Sequence, residues 1–143
     1  MALAPLLARS ASVRQSVNAA YTDVSDCGPH LTQDVQAFQD AAASHRQLLI
    51  ELASTQGLLA LPTGIVADVS TAWQASVTAD DDFANWAEDQ VTGGCSTTSQ
   101  SDPNYEAAYD PDIQATASKT AFVKLWNPLA QTYGLPTYSQ GEL

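Results

Sequence analysis

Seam positions three and four residues apart run through most of the chain. Between Leu31 and Leu59 they fall at Leu31, Val35, Phe38, Ala42, His45, Leu49, Leu52, Gln56 and Leu59. That alternation keeps one face of a helix turned toward a partner. The first segment repeats it at Leu3, Leu6, Ser10, Val13, Val17, Ala20, Val24 and Cys27. A third segment carries Ile65, Val69, Ala72, Ser76, Ala79, Phe83, Trp86 and Gln90, widened by Val66, Trp73, Val77 and Ala87. A fourth is less regular, with Ile113, Ala117, Phe122, Val123, Leu125 and Trp126. The pattern predicts four helices, over about 3–26, 32–56, 63–92 and 104–133, with a loop over 93–103.

Breakers and caps fall between these segments. Gly28-Pro29 ends the first, with Gly28 suited to the left-handed conformation that follows a helix. Thr32 is a candidate N-cap for the second, and Asp34 lies in its first turn, favourably for the helix dipole. Gly57 suits the C′ position, and Leu58 to Pro62 reads as a short apolar connector folding over the bundle end. Thr63 is a candidate cap for the third helix, which Gly93-Gly94 terminates. Asp102-Pro103 and Asp110-Pro111 both resemble an N-cap followed by proline at N1. The fourth segment is therefore expected either to bend at Pro111 or to follow a short helix, and Asn127-Pro128 to restart a short helix through Tyr133. Matched helices and mostly short connections give an all-α, up-down-up-down four-helix bundle, formed as a single domain over 1–143, with a short C-terminal helix.

In that topology the ends of helices one and three lie at the same end of the molecule. Cys27 and Cys95 sit at those two ends and are the only cysteines among the 143 residues. A disulfide between them would close a loop of roughly 70 residues and is worth about 4 kcal/mol in the chain-entropy model. It would imply an oxidising, extracytoplasmic compartment; two free buried thiols are the alternative. Met1 to Leu7 is apolar, but Arg9 and Arg14 interrupt it too early for a secretory segment. Because the seam already runs at Leu3 and Leu6, a signal peptide or membrane anchor is expected upstream. No apolar run is long enough to span a bilayer, so no direct membrane insertion of this segment is expected.

Charge narrows the partners. Sixteen acids face five bases, a net charge of −11, although charged residues make up only 15% of the chain. Such a surface repels nucleic acid and anionic headgroups. It suits a protein or small-molecule partner, and the chain is expected to be a monomer or weak dimer.

Catalytic and metal signatures are sparse. The histidines are His30 and His45, and His45 falls in the helix-two seam. No H-E-x-x-H, clustered Cys/His set or Glu-x-x-His pair occurs, so neither zinc nor a di-iron centre is expected. Asp102, Asn104 and Glu106 imitate the start of an EF-hand loop, but Ala107 stands for its glycine and Ile113 for its closing glutamate. No nucleophile elbow or phosphate loop occurs. No enzyme, metal or cofactor is expected. Two candidate sites remain. Trp73, Trp86, Trp126 and Tyr133 could wall a ligand pocket between helices, with Tyr105, Tyr109 and Tyr138 at its rim. Asp80, Asp81, Asp82, Glu88 and Asp89 could form an acidic interaction face. Core packing and a solvated surface are the plain alternatives.

The run Leu125-Trp126-Asn127-Pro128-Leu129-Ala130, followed by Tyr133-Gly134-Leu135-Pro136, resembles the end of uncharacterised extracytoplasmic helical-bundle domains of actinobacterial membrane-anchored or secreted proteins. Cys27-Gly28, Arg46 with Leu48-Leu49, Ser76-Val77-Thr78-Ala79-Asp80 and Cys95 extend the resemblance over nearly the whole chain. It implies a location, behind one membrane anchor or secreted, and no chemistry. The expected function is ligand binding or sensing. The alternative is a structural or protein-interaction role in the cell envelope through the acidic surface.

Overall fold

The computed structural model describes residues 2–95 and 101–143. The helices are α1 (Ala4–Ser25), α2 (Leu31–Ser54), α3 (Ile65–Gly93) and α4 (Pro103–Thr132), with 3₁₀ turns at Leu58–Ala60 and Gln140–Glu142. No strand occurs among the described residues. Each helix packs on its neighbour in sequence, α1 on α2, α2 on α3 and α3 on α4, whereas the α1 and α4 backbones stand apart and are bridged by side chains such as Tyr21 and Tyr105. The bundle is therefore open along one seam. No helix of the described chain is long and apolar enough to cross a membrane.

Cys27 and Cys95 form the disulfide, with Cα atoms 6.1 Å apart across a separation of 68 residues. It ties the end of α1 to the end of α3. Both cysteines, and not Gly28, carry positive φ, at 56° and 54°. Gly28 serves close approach instead. A Cβ there would stand 2.0 Å from Asp23 Oδ1, and the Gly28 N–H bonds the Asp23 carbonyl at 2.7 Å.

The core has two apolar halves. One gathers Leu3, Leu7, Leu48, Ile65, Trp73, Phe122 and Trp126. The other gathers Val17, Val24, Phe38, Phe83, Trp86 and Ala108. Between them every helix contributes buried polar side chains: Ser10 from α1, His45 from α2, Ser76 and Asp80 from α3, and Lys119 from α4. Trp73 Nε1 donates to Ser10 Oγ at 2.9 Å, which satisfies both groups in this layer.

Several local expectations are revised. The second helix starts after His30 and the third after Gly64, and neither Thr32 nor Thr63 is the cap. The second helix stops at Ser54, so Leu59 leaves its seam and is fully exposed, while Leu58 and Leu61 pack on the core. The fourth helix is unbroken from Pro103 to Thr132, with Pro111 and Pro128 inside it. Each proline removes one backbone bond, and the packing along α3 holds the helix through both. Asp102 is its N-cap, accepting from the Asn104 N–H at 2.8 Å. Ile113 and Leu125, expected in the seam, are half-exposed. Residues 96–100 of the expected loop lie outside the described residues.

Asn127 does not restart a helix. Its Oδ1 accepts from the Tyr138 N–H at 3.0 Å, and its Nδ2 donates to the Tyr138 carbonyl at 2.8 Å. Trp126 Nε1 donates to the Pro136 carbonyl at 3.0 Å. These contacts fold the C-terminal segment back on α4, where Leu143 is buried in the core. The segment also touches α1 and closes part of the open seam.

Candidate functional site

Where α1 and α4 stand apart beyond that segment, a cavity of about 420 Å³ opens. Its α1 wall is Arg14, Val17, Asn18 and Tyr21, four residues at helical spacing. Its α4 wall is Tyr105, Tyr109 and Asp112, and Phe83 of α3 joins Val17 as the buried part of the lining. Tyr109 is largely exposed and sits at the rim. A volume of this size falls in the range of small-molecule sites, about 300–1,000 Å³.

The aromatic part of the wall is held from behind. The Tyr21 and Tyr105 hydroxyls are 2.9 Å apart and share a hydrogen bond. The Tyr21 ring meets Phe83 edge-on at 5.6 Å, and Trp86 lies 5.2 Å from Tyr105. Edge-to-face packing of this kind fixes ring orientation. Burial, reinforced by Tyr105 and by the Asp112 charge, pushes the Tyr21 hydroxyl up to about 12. Tyr21 is therefore a neutral hydroxyl near pH 7.

The charged part is Arg14 and Asp112. Arg14 Nε is buried without a hydrogen-bond partner among the described residues. Neither residue belongs to an ion pair among the described residues, whereas Arg9 pairs with Glu51 and Arg46 with Asp81 on the surface. Opposite charges thus line one cavity without neutralising each other directly.

Behind the cavity lies the polar layer. His45 Nδ1 and Asp80 Oδ2 share a hydrogen bond of 2.8 Å, and the two residues are 2% and 4% exposed. His45 Nε2 is buried with no hydrogen-bond partner among the described residues. Burial raises the Asp80 carboxyl above its ordinary value, against the pull of His45, Lys119 and Arg14. Burial lowers the Lys119 ammonium to about 8, helped by repulsion from Arg14 and opposed by Asp80 and Asp112. Arg14 therefore couples the layer to the cavity. An Asp–His pair can orient an imidazole as a base, but neither residue lines the cavity.

The expected tryptophan pocket is corrected. Trp73 and Trp126 are buried in one half of the core and Trp86 in the other. Tyr133 is 64% exposed at the end of α4. None of the four lines the cavity; large apolar rings at seam positions gain more from burial than from a solvated wall. Tyr105 and Tyr109 do line it, and Tyr138 lines a smaller cavity of about 300 Å³ that shares Arg14 and Asn18 with the first.

The expected acidic face is corrected as well. Asp80 is an interior residue, because the steps Trp73, Ser76, Asp80, Phe83, Ala87 and Gln90 continue an inward seam of α3. Asp81 is paired with Arg46, Asp89 accepts from Asn104 Nδ2 at 2.6 Å, and Asp82 and Glu88 remain toward solvent. Among the described residues no group of three or more His, Cys, Asp or Glu is placed to hold a metal ion.

Arg14, Asp112 and Lys119 lay outside the sequence reading of the site. One signal pointed to the two bases: in a chain with only five, Arg14 flanks the seam of its helix and Lys119 is buried in its own.

No family model, curated protein or solved structure matches the chain.

Proposed function

We propose that this chain is an extracytoplasmic helical module, secreted or held behind a membrane anchor, that binds a small molecule in the α1–α4 cavity. The observation that carries the reading is the cavity wall itself, where ordered aromatic rings meet two unneutralised charges of opposite sign. A bundle built only for rigidity would close this seam with apolar side chains, as Phe38 and Phe83 do between α2 and α3, because unpaired polar groups away from water are costly. The disulfide is consistent with an oxidising compartment, and the resemblance of the Leu125–Pro136 run supports the same location.

The test is a thermal-shift screen of the oxidised protein against small metabolites, repeated on Asn18→Trp. Asn18 is exposed and lines the cavity, so tryptophan there obstructs the opening without emptying the core. A metabolite that stabilises the native chain by mass action and loses its effect on the plugged variant supports the reading. Stabilisers that act equally on both overturn it, as does a screen without a shift.

A further inference from the structure

We infer that the α1–α4 cavity takes a zwitterionic ligand, a free α-amino acid with an aromatic side chain. The inference rests on the small-molecule reading above and specifies its chemistry. Four observations converge. Arg14 and Asp112 line the same cavity, and neither is spent in an ion pair among the described residues. Arg14 is half-buried and lines the cavity, with no side-chain hydrogen bond among the described residues to occupy its guanidinium. The remaining lining is dominated by rings, Tyr21, Phe83, Tyr105 and Tyr109. The chain carries a net charge of −11.

Each observation selects one part of the ligand. A guanidinium presents a planar fork that matches a carboxylate in bidentate fashion. A carboxylate accepts from an ammonium, and aromatic faces add attraction for the same cation. The ring walls favour a flat apolar body placed edge-on or offset to them. The protein's field opposes entry of an anion, whereas a zwitterion brings no net charge. The volume of about 420 Å³ admits one residue-sized molecule and leaves little room for a peptide chain.

The experiment is calorimetric titration of the oxidised full chain with L-phenylalanine, phenethylamine and 3-phenylpropionate. The second probe lacks the carboxylate and the third lacks the ammonium. L-phenylalanine is expected to bind at least ten-fold more tightly than either. Arg14→Gln should bring it down to the level of phenethylamine, and Asp112→Asn down to the level of 3-phenylpropionate. The three-ligand comparison on the unaltered chain stands even if a variant fails to fold. A singly charged probe that binds as well as L-phenylalanine overturns the zwitterion and leaves the cavity reading in place. If no probe binds but a screened metabolite does so in an Asn18-dependent way, the ligand class is wrong and the cavity stands. If nothing binds, both fall.

Discussion

His45 and Asp80 form a hydrogen-bonded pair, Nδ1 to Oδ2 at 2.8 Å, in the middle of a bundle whose core is apolar above and below them. The pair joins α2 to α3 at the level where Arg14 and Lys119 approach from α1 and α4. A charge withdrawn from water requires partners to stay there, so these side chains constrain one another.

Removing one member of that pair strands the other. His45→Ala is expected to destabilise the fold by about 3–5 kcal/mol, the usual cost of uncovering a buried charge. His45→Leu combined with Asp80→Leu should cost clearly less than the two single changes summed. Urea unfolding of the native chain, the two single leucine variants and the double variant decides it, with His45→Ala measured beside them, and additive losses would show that the two residues act independently.

The disulfide closes a 68-residue separation. Reduction should remove about 4 kcal/mol by the chain-entropy argument, which lowers the melting temperature by on the order of 10 °C for a domain of this size. Differential scanning calorimetry with and without reductant tests it. Equal midpoints would show that the cross-link constrains the unfolded chain little.

Near the same end of the bundle, burial and the neighbouring Asp23 raise the Asp34 carboxyl to about 6, with His30 acting in the opposite direction. Asp23 is lowered, by its bonds to His30 and Asp34 acting against its desolvation. Because the native state holds this proton more tightly than the unfolded chain does, Asp34's contribution grows as pH falls from about 6 to about 4. Asp23 contributes in the opposite sense, and its share is lost only as pH falls below the ordinary carboxylate value. Asp34→Asn should flatten the rise between pH 6 and pH 4. An unchanged pH profile in that variant would rule the pair out as its source.

Lys119 makes the converse prediction at alkaline pH. Its folded value of about 8 lies below its ordinary 10.5. The unfolded chain therefore binds this proton more tightly, and stability should rise between about pH 8 and pH 10. Lys119→Met keeps the chain length, removes the desolvated charge and should abolish the rise. Above pH 10 the raised Tyr21 hydroxyl opposes the trend, so the comparison belongs below that point. Denaturant midpoints of both proteins across this window are the measurement.

Asn127 clamps the C-terminal segment through two bonds to Tyr138. Asn127→Ala should cost about 1–3 kcal/mol. It should also accelerate hydrogen exchange at the Tyr138 amide, which would lose its acceptor. If that amide stays protected, the segment is held by Trp126 and Leu143 alone.

The sequence by itself determined the four helices, their order and the end-to-end cross-link. A repeat of three and four specifies which face of a helix is buried whatever lies opposite, and the sequential antiparallel order brings Cys27 to Cys95. It also placed Ser10, His45 and Ser76 in the seams. Only the tertiary structure decided that these polar positions lie at one level, that Asp80 and Lys119 join them, and that Arg14 and Asp112 share a cavity. The physical reason is that periodicity reports direction around one helix, whereas a site depends on the relative height and spacing of several. The gap between α1 and α4 is set by how α2, α3 and the returning C-terminal segment pack, so rings assigned from sequence to the pocket became core. Although Asp102-Pro103 marks the true start of α4, the Pro111 and Asn127-Pro128 signals misled for a related reason. They describe what a backbone prefers alone, and the packing of α4 on α3 together with the Asn127–Tyr138 clamp overrode them.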